Sequence, residues 1–184
     1  MKPTDELSRD HEVMLRMIRI LGEMADRLDA GVAVDPADLD QAVTFVRSFS
    51  DKCHHTKEES HLYAEILRSG APDERGAIEL MIAEHAEARK CVAAMTRAVE
   101  GLRQGDALAA QAFAAAASNY NRLLSQHIYK EDHVLYPTVR TRLTHAQQTA
   151  LKVRFAEVDK ECLGPGKREE FDRLLRRLEQ AYPE

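Results

Sequence analysis

The stretch His54-His55-Thr56-Lys57-Glu58-Glu59-Ser60-His61-Leu62-Tyr63 decides the fold, because its pattern returns 73 residues later as His127-Ile128-Tyr129-Lys130-Glu131-Asp132-His133-Val134-Leu135-Tyr136. Both copies read His-x3-Glu-x3-Leu-Tyr. At ~100° per residue, the His and Glu of each copy lie ~40° apart on one helical face. His11 recurs as His85 at an offset of 74. Two copies of one plan make the chain a pair of helical hairpins, a stronger signal than either motif alone.

Working outward, the first helix is expected over 4–28. Leu7, Met14, Ile18, Leu21, Ala25 and Leu28 step by three and four, with His11 in the series. Gly31 breaks it, Asp35 is placed to cap the second helix and Pro36 to open it. That helix ends at Ser69-Gly70-Ala71-Pro72. A third runs from about 73 to the Gly101–Gly105 region. A fourth, with Asp106 as a candidate cap, is closed by Pro137. Two shorter segments follow, 144–159 and 167–181, separated by Gly164-Pro165-Gly166. No strand pattern stands out. The economical fold is all-α, an up-down-up-down four-helix bundle over 1–142 with two additional C-terminal helical segments, the 143–184 extension packed on the bundle.

The midpoints between histidines 11, 54, 85 and 127 fall near residues 32, 69–70 and 106, each on a turn signal. Residues equidistant from the turn joining two antiparallel helices share a height. These four imidazoles are therefore expected in one layer, one from each helix.

Composition narrows the function. Of 184 residues, 26 are Lys or Arg and 31 are Asp or Glu, a net charge of -5 that offers no basic face for nucleic acid. No apolar run approaches the ~20 residues of a membrane span. The polar start is not a secretory signal, and three cysteines without a CxxC pair fit a reducing compartment, so a cytoplasmic protein is expected. Gly-rich phosphate loops and a GxSxG nucleophile are missing.

The layered side chains fit a pair of metal ions. Glu58 lies angularly between His54 and His55, so its two oxygens can serve two ions while each imidazole serves one. Five imidazoles (His11, His54, His55, His85, His127) supply five bonds and bridging Glu58 and Glu131 supply four. An oxo or hydroxo bridge adds two. Eleven of the twelve positions of two octahedral ions are then filled. Imidazole and carboxylate without thiolate suit iron, with zinc or manganese as lesser options. The open position suits a small diatomic or peroxide ligand.

The segments Asp10-His11-Glu12, Cys53 through Glu59, Ala83-Glu84-His85 and His127 through Pro137 resemble the hemerythrin-like (HHE cation-binding) family over most of residues 8–140. The resemblance implies a non-haem centre of two iron ions (Fe2+/Fe3+) inside a four-helix bundle. The chain departs from the oxygen-carrying members at two places. Arg89 stands where they have a second third-helix histidine, and the repeat favours Glu131 over Asp132 as the fourth-helix carboxylate. His55 then replaces the missing imidazole.

The functional expectation is a di-iron protein that binds or senses oxygen, peroxide or nitric oxide at the open position. The alternatives are an oxidoreductase consuming peroxide or nitric oxide with an electron donor, an iron-centre repair factor, and a metal-stapled interaction module. Among the other polar residues, His61 could hydrogen-bond a ligand or line the access route, and His133 and His145 belong in solvent. Glu59 and Asp132 are read as solvated or as supports of the ligands. Arg89 either neutralises Glu58 or Glu131 or pairs with another acid. Tyr63 and Tyr136 are read as structural, with donation into the metal pocket as the lesser option, and Cys53 as a core residue whose nearness to the site allows redox coupling.

Overall fold

The computed structural model describes residues 2–69 and 74–183, so the Gly70-Ala71-Pro72 turn and the start expected near Asp73 lie outside the described residues. Six helical rods follow one another, and no strand occurs among the described residues. Helix α1 is Pro3–Asp29. Helix α2 covers 36–68, helix α3 is Arg75–Gln104, and helix α4 covers 109–142. Helices α5 (His145–Cys162) and α6 (Lys167–Ala181) form the C-terminal segment.

Local chemistry sets the ends. The Asp35 carboxylate accepts from Ala37 N at 2.8 Å while Pro36 opens α2. Gly31 and Gly105 take φ of 73° and 79°, a left-handed turn that only glycine adopts without penalty. Asp106 accepts from Leu108 N at 2.9 Å ahead of α4. Thr144 and Gln147 form a reciprocal capping box on α5.

Pro137 does not close the fourth helix, contrary to expectation: the rod continues helically through Tyr136–Arg142. The turns just before it, Glu131–Leu135, are wide i→i+5 turns. The proline falls in the first turn of a renewed α segment, where no N–H is required. Helix α2 has the same character over Val46–His55 and Lys57–Tyr63. Wide turns of this kind concentrate at functional sites, and here they carry His54, His55, Glu58 and Glu131.

The core is divided in two. One apolar cluster holds Met14, Ile18, Phe45, Phe49, Ala88, Phe113, Leu124 and Ile128, and α6 adds Phe171, Leu175 and Leu178. The other holds Leu7, Leu62, Ile66, Ile78, Met81, Leu135 and Val139, and α5 adds Leu151 and Phe155. The layered histidines lie between them. Along α1 and α3 the chain passes from the second cluster through the histidine level into the first, and along α2 and α4 it passes the other way. The polar layer is thus sealed above and below by hydrocarbon.

Candidate metal centre

Each of the first four rods presents imidazole or carboxylate to the space between the clusters. His11 comes from α1, His54, His55 and Glu58 from α2, His85 from α3, and His127 and Glu131 from α4. None of the seven is more than 1% exposed. Six of them fall into two groups whose ligand atoms lie within 4.8 Å of one another: His11, His54, Glu58, Glu131, and Glu58, His85, His127, Glu131. The two carboxylates are common to both.

Glu58 faces each group with a different oxygen, Oε1 at 3.4 Å from His54 Nε2 and Oε2 at 3.4 Å from His85 Nε2. Glu131 Oε2 stands 3.2 Å from Nε2 of both His11 and His127. His85 Nε2 and His127 Nε2 are 2.9 Å apart. Neighbouring ligands of an octahedral ion with ~2.1 Å bonds are separated by roughly 3 Å. The cluster therefore has the spacing of coordination edges. Several of these atoms are within ion-pair distance yet make no hydrogen bond: His54 Nε2, Glu58 Oε2 and Glu131 Oε2 are orphaned in the interior. Buried polar atoms left this way are costly. The donor set fits two cations that would engage all three.

His55 stands beside these groups rather than within them. Its ring stacks on that of His85 with centroids 3.8 Å apart, and both its nitrogens lack hydrogen bonds.

Behind the imidazoles lies an outer ring of acids. His85 Nδ1 hydrogen-bonds Glu59 at 2.7 Å and His127 Nδ1 hydrogen-bonds Glu84 at 2.9 Å. His11 Nδ1 faces Asp132 at 3.1 Å, and His54 Nδ1 faces Asp10 at 3.6 Å. His55 Nδ1 faces Asp51 at 3.6 Å. Carboxylates in this position fix the ring and turn Nε2 toward a metal. Four of these acids are chain neighbours of a residue in the inner groups, yet each serves the next rod: Asp10 on α1 reaches α2, Glu59 reaches α3, Glu84 reaches α4, and Asp132 returns to α1. The sequence reading allowed Glu59 and Asp132 such a supporting role and overlooked Asp10, Asp51 and Glu84. The adjacent pairs Asp10-His11, Glu58-Glu59, Glu84-His85 and Glu131-Asp132 were the available signal.

Of the two options for Tyr63 and Tyr136, the lesser one holds: both donate into the cluster. The Tyr63 hydroxyl donates to Glu131 Oε1 and the Tyr136 hydroxyl to Glu58 Oε1. Each tyrosine lies five residues after one carboxylate and bonds the other. The wide i→i+5 turns bring residues five apart toward one face, which an ideal α-helix count does not anticipate.

Arg89 does not reach Glu58 or Glu131; it bonds Asp51 at 2.6 Å and Glu59 at 2.7 Å, clamping two acids of the outer ring. His61 is half-buried, outside both ligand groups, and its imidazole is lowered by burial and by the charge of Arg154 on α5. His133 is exposed and stacks on Tyr129, and His145 is exposed.

The charges follow from the packing. Burial lowers His11, but Asp132 and Glu131 outweigh it and hold the imidazole up to about 10. His127 is likewise penalised by burial and raised to about 9 by Glu131 and Glu84. His54 and His85 are also raised, by Glu58, Asp10 and Glu59 against the same burial penalty. Burial and the neighbouring His85 push His55 down to about 3, so it is a neutral imidazole with a free lone pair. Burial raises Glu58, but His54 and His85 hold it well below the ordinary carboxylate range.

No helix of the described residues is long and apolar enough to cross a membrane. No curated protein and no solved structure matches the chain. Residues 2–139 match the hemerythrin HHE cation binding domain, a span that contains every residue of both ligand groups and all five acids behind the imidazoles. With three-quarters of its length covered and the family's ligand chemistry assembled in its interior, the chain belongs to the hemerythrin HHE cation binding domain family.

Proposed function

We propose that this protein holds two iron ions and uses them to bind or sense oxygen, peroxide or nitric oxide. The observation that carries this reading is the pair of ligand groups that share Glu58 and Glu131. His11 and His54 would hold one ion and His85 and His127 the other, with both carboxylates common and His55 supplying the fifth imidazole. An iron pair supplies reversible one-electron chemistry and an affinity for small diatomic or peroxide ligands. The bundle, 1–142, would carry the centre and 143–184 would brace it.

The chain's own residues have definable tasks. The outer acids keep each ring oriented, Nε2 inward. The two apolar clusters keep bulk water from the layer. The two phenols hold protons at Glu58 Oε1 and Glu131 Oε1, and burial with the two carboxylates raises both far above the ordinary phenol value, so those protons stay in place at neutral pH. These two buried donors favour a second reading, an oxidoreductase that consumes peroxide or nitric oxide with an external electron donor.

Elemental analysis of purified protein tests the proposal, joined to visible spectra recorded in air, peroxide and nitric oxide. Two iron equivalents per chain and spectral changes with one of these ligands are expected. Iron-free protein that takes up only zinc, with no visible band, would overturn it. Sustained ligand consumption with a reductant would select the second reading.

A further inference from the structure

Helices α2 and α5 meet along three successive rungs. At the middle rung Lys57 Nζ lies 2.8 Å from Asp159 Oδ1. About one turn earlier on α2 and one turn later on α5, Cys162 Sγ donates to Lys52 O at 3.1 Å, and its thiol interacts with that of Cys53. About one turn the other way, His61 interacts with Arg154 and Glu157. Positions descend one helix as they climb the other, so Cys53 and Cys162 face each other in register across an antiparallel contact, and the neighbouring ion pair holds that register.

Neither thiol belongs to the two apolar clusters, whereas Cys91 packs against one of them. Cys53 is buried and Cys162 is half-buried, in the last turn of α5 beside a surface cleft lined by Asp159, Leu163 and Arg168. Gly164 and Gly166, with φ of 68° and 76°, follow immediately and give this end of α5 a short connector rather than a continuing helix.

We propose that Cys53 and Cys162 are a modification site, a dithiol that a hydroperoxide oxidises reversibly to a disulfide. The half-exposed Cys162 reacts first. Its thiolate sulfur attacks one peroxide oxygen, the O–O bond breaks, and the departing oxygen leaves as water or alcohol after taking a proton. The Cys162 sulfenic acid is then attacked by the Cys53 sulfur. The S–S bond forms, the S–O bond breaks, and hydroxide leaves as water with the Cys53 proton. Two thiols lose two electrons and two protons, and the peroxide gains them. The product joins α5 covalently to the residue preceding His54. The inference stands on the α2–α5 contact and does not depend on the metal reading.

The test is hydrogen peroxide treatment of the full-length protein as isolated and again after chelation, followed by thiol counting under denaturing conditions and non-reducing peptide mapping. Free thiols are expected to fall from three to one per chain in both samples, with a peptide linking Cys53 to Cys162 and recovery of all three on adding dithiothreitol. Cys91→Ser should leave the link intact, and Cys162→Ser should leave Cys53 reduced. Three thiols surviving peroxide that oxidises free glutathione, a link through Cys91, or Cys162 driven to sulfinic acid with Cys53 still reduced would each overturn the proposal.

Discussion

Glu58 and Glu131 occupy a position no other ligand shares, since each faces both halves of the cluster. Glu58→Ala should therefore reduce bound metal at both halves, whereas His127→Ala should lose chiefly one equivalent; metal analysis per chain distinguishes the two. A Glu58→Ala variant that keeps two equivalents would refute the shared-carboxylate geometry. Protonation provides a second check. His11 and His127 are raised from 6.5 to about 10 and about 9 in the metal-free fold. The stability they contribute is fully present below about pH 6.5 and is lost as pH rises through 9 to 10. Urea midpoints of metal-free protein should fall across that window, and His11→Gln should flatten the fall. The inner residues were legible in the sequence because spacing and turn position fix the height and face of His11, His54, His85 and His127. Tyr63 and Tyr136 were legible only as candidates, because which carboxylate each reaches depends on wide turns that residue identity does not announce.

At the scale of helices, Lys57 joins three rods. It is fully buried on α2, donates to Glu6 at 2.9 Å and Asp10 at 3.0 Å on α1, and pairs with Asp159 on α5. Arg168 of α6 adds a contact to Asp10 at 3.2 Å and one to Asp159 at 2.7 Å. Removing one partner of a buried ion cluster leaves uncompensated charge. Lys57→Met should cost about 3–5 kcal/mol in denaturant unfolding. The exposed Val153→Ala on α5 should stay within about 0.5 kcal/mol. Phe171 packs edge-on against Phe45 at 5.0 Å and Phe49 at 6.2 Å, so Phe171→Ala should cost about 3–5 kcal/mol by the same measurement. The existence and order of the helices followed from apolar periodicity and from Asp35-Pro36, Gly31 and Gly105. The passage of α4 through Pro137 did not, because a proline's effect depends on whether the turn before it is regular or wide. The C-terminal extension was expected on the bundle, but the contacts that hold it there were hidden, since Lys57 in isolation resembles any solvated lysine.

For the molecule as a whole, the polar layer is a load that the two flanking apolar clusters must hold together. Cations bound by the two ligand groups would relieve it. Chelation should lower the thermal midpoint, with a loss of about 2.7 kcal/mol if the ion had stood at a hundred times its Kd, measured by calorimetry with and without added iron. His145→Ala, at an exposed position, should change neither metal content nor midpoint. The ring of acids behind the imidazoles has a consequence for biosynthesis. Asp10 serves α2, Glu59 serves α3, Glu84 serves α4, and only Asp132 closes the circuit onto His11. A nascent polypeptide leaving the ribosome lacks that final link until its fourth rod has been translated, so the cradle is completed only after most of the chain is made, and a cation taken up by it would enter late in the protein's maturation.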